Sequence, residues 1–124
     1  MTAVEGAARR QRAQGARHEA LQQSLVGIDP ELATWTDGFV FDQAWVGDEL
    51  AWPDRMLVAI TALAVQGHHA QLRNYLHGAL QDGMTADQLR AAFRMLTVYA
   101  GFPIAIQALD VLRTVLEAEA RAGR

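Results

Sequence analysis

Cysteine is absent from this 124-residue sequence. Without it the chain can form no disulfide bond, no thiolate zinc site and no thiol nucleophile, so several classes of reaction are excluded at once. Lysine is also absent, and the most basic stretch, from Arg9 to Arg17, is flanked by Glu5 and Glu19. Together with a formal net charge of −3, that pattern argues against a nucleic-acid partner.

Long apolar segments are missing as well. No run approaches the roughly 20 apolar residues that a membrane span requires, and the start lacks the apolar stretch of a signal peptide. We therefore expect a cytoplasmic protein with no membrane partner. Apolar residues make up 51% of the chain and charged residues 20%, which is typical of a globular domain. A chain of this length buries roughly two-thirds of its unfolded surface, enough for a single domain over residues 1–124.

Alternation of apolar and polar residues with a period of two is also missing, so we predict no strands. Apolar residues instead recur at spacings of three and four, as from Met56 to Ala64, which predicts helices with one buried face. The predicted fold is therefore all-α, a single-domain bundle of about six helices. Residues 1–27 are predicted to form one N-terminal helix, from Thr2 to about Leu25, and residues 28–124 the helical core. Glycines 6 and 15 are its weak points.

Capping residues mark where the core helices begin and end. Asp29-Pro30 and Trp52-Pro53 are typical of helix starts, and the residues from Thr85 to Gln88 spell a capping box. Glycines at positions 27, 47, 67, 83 and 101 are expected to end the helices before them, so one helix is predicted over 68–81. Between positions 29 and 47 the apolar residues form an irregular stripe: Leu32, Trp35, Phe39 and Ala44.

Three segments of the second half carry a family resemblance. They read LAWPDRML (50–57), GHHAQLRNYLHGALQDGMT (67–85) and VYAGFPIAIQAL (98–109). In combination they resemble the carboxymuconolactone decarboxylase family. The resemblance implies a carboxymuconolactone decarboxylase/alkylhydroperoxidase D-like bundle that assembles as a trimer or hexamer. It also implies a site near a subunit interface and the loss of carbon dioxide from a carboxylated muconolactone without a cofactor. The lack of cysteine excludes the thiol-dependent alkylhydroperoxidase D-type branch.

The chain departs from the family at positions that resemble its acid and base. Aligned without gaps on GAL-x-x-G (78–83), the family's glutamate falls on Gln71, its histidine on Tyr75 and a later glutamate on Ala91. Gln71 and Tyr75 can hydrogen bond but do not exchange protons readily near neutrality. An arginine of the family pattern is kept as Arg55.

The catalytic candidates lie on the helix predicted over 68–81. At about 100° per residue, His68, Gln71 and Tyr75 fall within about 60° of one another, so we predict that they face one pocket. Decarboxylation leaves an enolate-like charge and needs a proton. We therefore expect His68 to transfer the proton, Tyr75 to donate to the oxyanion and Gln71 to orient the substrate. His77 is predicted to point outward and is rejected as a candidate.

The expected substrate is a small carboxylated molecule. Arg55 and Arg17 are the carboxylate-binding candidates because a guanidinium offers a paired donor fork, and His69 and Trp45 are further substrate-binding candidates. Each assignment has a simpler structural alternative. His68 is also consistent with a solvated or capping residue at a helix start. Tyr75 and the tryptophans are consistent with core packing or a subunit contact, and Arg17 with a surface residue.

The sequence is consistent with three functions. The first is a cofactor-independent decarboxylase, and the second a repurposed enzyme such as an isomerase or cyclase acting on an aromatic compound. The third is a non-catalytic oligomeric binding protein. A metal site is not expected, because the histidines at 68, 69 and 77 lack the spacing of four residues that ligands on one helix need.

Overall fold

The structure, a computed structural model, describes residues 3–124, and most of this range is helical, with short turns and loops between the helices. Seven α-helices follow one another, and no strand occurs within this range. The all-α fold predicted from the sequence is confirmed. The helices are α1 Ala3–Gln14, α2 His18–Ile28, α3 Pro30–Trp35, α4 Trp52–Gln66, α5 His69–Gln81, α6 Ala86–Tyr99 and α7 Phe102–Arg121. A 3₁₀ turn, Gly15–Arg17, joins α1 to α2, and a π-helix, Thr36–Ala44, continues α3.

The prediction of a single N-terminal helix is wrong, because residues 3–28 form two α-helices joined by the 3₁₀ turn. The chain breaks at Gly15, whose φ of 72° lies in the left-handed region that side chains avoid. A Cβ at this position would also overlap the side-chain oxygen of Gln81. Gly27 does not stop α2, which continues to Ile28. The predicted start at Thr2 lies outside the described residues.

The predicted caps of the core helices are confirmed except at Gly47, because the helix before it already ends at Ala44. Asp29 accepts a hydrogen bond from the backbone N–H of Glu31 at 3.2 Å and so caps α3. The Thr85 hydroxyl accepts from the Gln88 N–H at 3.1 Å, and the Gln88 side chain accepts from the Thr85 N–H at 2.9 Å, which is the complete capping box. Glycines with positive φ follow α4, α5 and α6, at positions 67, 83 and 101. Helix α5 begins one residue later than predicted, at His69.

The segment after α3 turns more widely than an α-helix. Its hydrogen bonds join residues five apart, as from the Trp45 N–H to the Val40 oxygen at 3.0 Å. Phe41 is the side chain that this turn buries completely. The predicted stripe is exposed instead: Leu32, Trp35, Phe39 and Ala44. From Thr36 onward the period of an ordinary helix does not apply, so the positions of Phe39 and Ala44 do not continue the pattern of α3.

Helix α1 packs across both the π-helix and α5. At Gly6 the backbones approach so closely that a Cβ would overlap the Asp37 oxygen, and at Gly78 a Cβ would overlap the Ala13 oxygen. Only glycine fits both crossings. These contacts hold α1 against the core, so that residues of α1 can contribute to a site on the core.

The core lies among α4, α5, α6 and α7, as the apolar spacing predicts. Helix α5 contacts α1, α4 and α7, and α6 packs mainly on α7. Each fully buried large apolar side chain contributes roughly 1.5–3 kcal/mol to stability. The largest are Phe41, Met56, Ile60, Leu72, Leu76, Leu89, Phe93, Leu112 and Val115. None of the helices within residues 3–124 combines the length and the apolar character needed to cross a membrane.

Candidate functional site

A cleft opens between α1 and the loop of residues 46–51 that leads into α4. Its volume is about 590 Å³, within the range of cavities that hold small molecules. We call it the arginine cleft, and besides the loop backbone it is defined by Arg9, Arg12, Trp45, Asp48, Trp52 and Arg55. Three guanidinium groups and two indoles therefore surround one cavity.

Local structure places the arginines at the cleft. Arg9 and Arg12 are three residues apart and so share one face of α1. Arg55 lies in the first turn of α4, two residues after Pro53. The sequence predicted Arg55 as a substrate-binding residue, and the structure places it in the wall of this cleft.

Arg55 organises the loop that forms one wall. Its Nη2 donates hydrogen bonds to the backbone oxygens of Val46 and Gly47, at 3.0 and 2.9 Å, and its Nε donates to the Leu50 oxygen at 3.3 Å. Glu49, the nearest carboxylate, lies at 3.9 Å and is almost fully exposed. Arg55 therefore holds the loop in place through carbonyl groups.

The two arginines of α1 have different partners. Arg9 donates from Nη1 to the backbone oxygen of Phe41 at 2.9 Å and lies 3.6 Å from the buried carboxylate of Asp42. Arg12 donates from Nε to Asp82 at 2.9 Å, and its guanidinium carbon lies 4.5 Å from the centre of the Trp52 ring. Arg9 thus ties α1 to the π-helix, whereas Arg12 ties it to the end of α5.

Aromatic rings pack behind the cleft. The Trp45 ring centre lies 5.3 Å from Phe41, 5.1 Å from Trp52 and 6.2 Å from Tyr75, on which it stacks with an interplanar angle of 18°. The Nε1 atom of Trp52 is buried and makes no hydrogen bond within the described residues. The site therefore has a rigid aromatic wall that carries an unsatisfied donor.

Tyr75 keeps its proton in this environment. Burial raises the pKa of its hydroxyl, while a hydrogen bond with Gln14 and the nearby Arg10 charge act in the opposite direction and are weaker. Arg10 is itself buried, and its Nε donates to Gln14 at 3.1 Å. Tyr75 is thus a neutral hydroxyl that can donate a hydrogen bond, linked to the cleft through Trp45.

The other predicted site residues lie apart from the cleft. His68, directly before α5, and Gln71, on α5, are exposed, and so is Arg17 in the 3₁₀ turn, while His69 is half-buried. The cleft is lined by other residues, so of the predicted site the structure brings together Arg55 and Trp45, with Tyr75 behind Trp45.

His77 does not point outward, and the prediction on its orientation is wrong. It is buried because α7 packs on that side of α5, and its Nδ1 lies 2.6 Å from Oε2 of Glu119. Arg124 binds the same carboxylate through Nε at 3.1 Å and Nη2 at 2.9 Å, and Gln81 donates to it at 3.1 Å. We call these four residues the C-terminal cluster.

The donors of the C-terminal cluster stabilise the charged form of Glu119. The hydrogen bond from Arg124 is the largest cause, followed in the same direction by those from His77 and Gln81, and burial opposes them. Together they lower the pKa of Glu119 to about 2. Within the described residues, no group of three or more histidine, aspartate or glutamate side chains could hold a metal ion.

Sequence reasoning missed Arg9, Arg12 and the role of Trp52 in the cleft. The spacing of Arg9 and Arg12 shows that they share a helix face, but that face is identified as a cleft wall only once α1 is docked. Trp52 was expected simply to wall the core or a subunit contact.

Comparison with known proteins identifies the family. The sequence model of the carboxymuconolactone decarboxylase family matches residues 30–114, and the chain therefore belongs to that family. Because it contains no cysteine, it belongs to the cysteine-free branch and not to the thiol-dependent one.

The chain is also similar to a 4-carboxymuconolactone decarboxylase from Acinetobacter baylyi. The two sequences are 24% identical over 95 residues, which cover 77% of this chain and 71% of that protein. The family match begins at residue 30, so helix α1, with Arg9 and Arg12, lies outside it.

Proposed function

We propose that this protein is a cofactor-independent enzyme of the decarboxylase type, acting on a carboxylated lactone or a related aromatic-derived small molecule. The arginine cleft is the observation that carries this proposal. It offers guanidinium groups to bind carboxylates and indole faces to contact a ring, within a volume suited to a small molecule. Membership of the family and the similarity to a decarboxylase support the same reaction class.

The proposed reaction breaks the bond between a ring carbon and a carboxylate. Carbon dioxide leaves, the electron pair moves into an enolate conjugated with the lactone carbonyl, and a proton then adds to carbon. Arg55 lies where it can stabilise the developing negative charge. Tyr75, half-buried behind Trp45, is the candidate for donating a hydrogen bond to this charge. His68, exposed directly before α5, stays the candidate for supplying the proton, and Gln71 the candidate for orienting the substrate.

A homo-oligomer, a trimer or hexamer, is part of the proposal. The end of α6 and the start of α7 expose large apolar side chains, with Val98 77%, Tyr99 79%, Phe102 67% and Ile106 61% exposed. Adjacent apolar residues of this size are typical of a surface covered by another subunit. Light scattering tests the assembly, and a Tyr99→Glu/Phe102→Glu variant should dissociate it. A wild-type monomer at micromolar concentration would contradict the assembly.

The reaction is tested by incubating the protein with a carboxylated muconolactone and measuring released carbon dioxide by mass spectrometry. We expect release above the spontaneous rate, and a decrease of at least about tenfold in Arg55→Gln because one charge-assisted contact is lost. Arg113→Gln changes an exposed arginine on α7 and should leave the rate unchanged. A wild-type rate equal to the spontaneous rate would overturn the decarboxylase assignment.

A second candidate is a repurposed enzyme, an isomerase or cyclase. It is favoured by Gln71, Tyr75 and Ala91 at positions where the resemblance leads us to expect an acid or base. Proton NMR of the same incubation distinguishes the two, because an isomer would form without loss of carbon dioxide. Saturable binding without any conversion would indicate the third hypothesis, a non-catalytic binding protein.

A further inference from the structure

We infer that Arg12 determines the ligand specificity of the arginine cleft by binding a ligand carboxylate through the Nη1–Nη2 edge of its guanidinium. This role rests on the function proposed above and names the residue that would recognise the anionic group. The sequence instead indicated Arg55 and Arg17 for carboxylate binding.

The other arginines of the cleft use their donors to build its walls. Arg55 directs Nε and Nη2 at three loop carbonyls, which leaves Nη1 alone for a ligand. Arg9 bonds the Phe41 carbonyl and pairs with Asp42. Every pair of adjacent donors on Arg55 therefore includes one that a loop carbonyl already uses, and Nη1 of Arg9 is committed to the π-helix.

Arg12 is oriented without using its outer edge. A guanidinium has five N–H donors, and Arg12 uses the one on Nε to bind Asp82 at 2.9 Å. The Trp52 ring supports its flat face at 4.5 Å. The Nη1 and Nη2 groups make no hydrogen bond to any residue in the described part of the chain, and the side chain is 51% exposed. The remaining edge is therefore both held in place and accessible.

That edge fits the geometry of a carboxylate. Two parallel N–H groups bind the two oxygens of one carboxylate, and prior orientation of the side chain lowers the entropic cost of binding. Asp82 acts here as a positioning residue, because it holds Nε without occupying the outer edge.

Arg12 and the rest of the cleft come from different parts of the chain. Arg12 belongs to α1, which precedes the family match at residue 30, while Arg55 lies within it. The family core therefore supplies the loop and its aromatic wall, and the N-terminal helix supplies the anion-binding edge. Ligand preference can then vary through α1 without a change in the core.

Binding of a defined probe tests this role separately from turnover. The probe is 5-oxotetrahydrofuran-2-carboxylate, a saturated lactone with one carboxylate, and its methyl ester is the neutral counterpart. Tryptophan fluorescence reports binding, because Trp45 and Trp52 line the cleft and the probe does not absorb at the excitation wavelength. We expect the wild type to bind the carboxylate more tightly than the ester.

The variants separate charge, geometry and positioning. Arg12→Lys should weaken carboxylate binding by about tenfold because lysine lacks the fork, and Arg12→Gln by more, with the ester unaffected. Asp82→Asn should weaken it a few-fold, but not when Arg12 is already replaced by glutamine, since Asp82 acts through Arg12. Arg113→Lys and Arg113→Gln are matched controls at an arginine that also pairs with an aspartate, and they should bind like the wild type.

The result that overturns this role is equal carboxylate affinity in the wild type and Arg12→Gln, or no saturable, carboxylate-dependent signal from the wild type. Equal loss of carboxylate and ester binding in Arg12→Gln would also overturn it, because it would indicate a damaged cleft. Circular dichroism checks that each variant is folded. Binding that depends on Arg12, together with no release of carbon dioxide, would support this role and contradict the proposed reaction.

Discussion

The arginine cleft and the C-terminal cluster are both built from charged side chains, but they use their donors differently. In the C-terminal cluster, the Glu119 carboxylate accepts hydrogen bonds from Arg124, His77 and Gln81 and is buried. In the arginine cleft, positive groups outnumber the single lining carboxylate, Asp48, and Arg12 keeps an edge without a partner in the described chain. Charged groups whose hydrogen-bond partners lie within the protein stabilise the fold, whereas charged groups with unused donors are suited to binding a ligand.

The largest expected effect comes from breaking the C-terminal cluster. Glu119→Ala removes the acceptor that three donors share and leaves His77 buried without its partner. We expect the free energy of unfolding to fall by about 3 kcal/mol, measured by urea denaturation. Glu117→Ala, which removes an exposed partner of Arg113 on the same helix, should cost under about 1 kcal/mol. Equal costs for the two variants would contradict the structural role of the cluster.

Detaching α1 should disable the cleft while the C-terminal cluster stays intact. In Gly78→Ala the new Cβ would overlap the backbone oxygen of Ala13, so α1 must shift. We expect a loss of about 2 kcal/mol in stability and weaker binding of the lactone carboxylate probe. The matched control is Gly27→Ala, where a Cβ meets no atom within 4 Å, so that stability should rise by roughly 0.5 kcal/mol. Unchanged probe binding in Gly78→Ala would show that the cleft does not depend on α1.

The pH dependence of stability provides a third comparison. The pKa of Glu119 is lowered from its ordinary 4.5 to about 2, so its stabilisation is present above pH 4.5 and is lost as the pH falls through about 2. We expect the wild type to lose about 2 kcal/mol over this interval, with the half-exposed Arg124 screened by solvent.

The control for that measurement is Glu119→Gln, which keeps the shape of the side chain but cannot titrate. Its stability should depend less on pH between 5 and 2, as followed by urea denaturation at each pH. An equally steep loss of stability at acid pH in both proteins would show that other carboxylates cause the effect.

The smallest effect is expected at Arg55. Arg55→Lys keeps the positive charge but cannot reach the Val46, Gly47 and Leu50 carbonyls together. We expect a loss of about 1 kcal/mol in stability and faster hydrogen exchange in residues 46–51, measured by mass spectrometry. Exchange unchanged in that segment would mean that Arg55 does not organise the loop.

Much of the fold could be predicted because its signals are local. Asp29 caps the residues directly after it, and Thr85 and Gln88 satisfy each other within one turn. The break at Gly15 was foreseen as a weak point but not as a helix end, because the contact with Gln81 comes from another helix. The π-helix was missed because its hydrogen bonds change the period on which the prediction depends.

The predictions on the site residues also succeeded in part and failed in part. Arg55 was predicted from the family resemblance and from its paired donors, and Trp45 as a further substrate-binding residue, and both line the cleft. The orientation of His77 was predicted wrongly, because an ideal helix has an outer side only until another helix, here α7, packs on it. The catalytic roles of His68, Gln71 and Tyr75 stay predictions.

The sequence by itself determined the all-α fold, the caps of the core helices, the family and the exclusion of thiol chemistry. The fold, the caps and the exclusion of thiol chemistry follow from periodicity, from interactions within a few residues and from composition, whereas the family follows from the resemblance of three segments of the second half. Only the tertiary structure decided that Arg12 supports a cleft and that His77 is buried against Glu119. Each of these pairs joins elements far apart in the chain, Arg12 with Asp82 and His77 with Glu119. Their proximity depends on how helices pack, which no local pattern encodes.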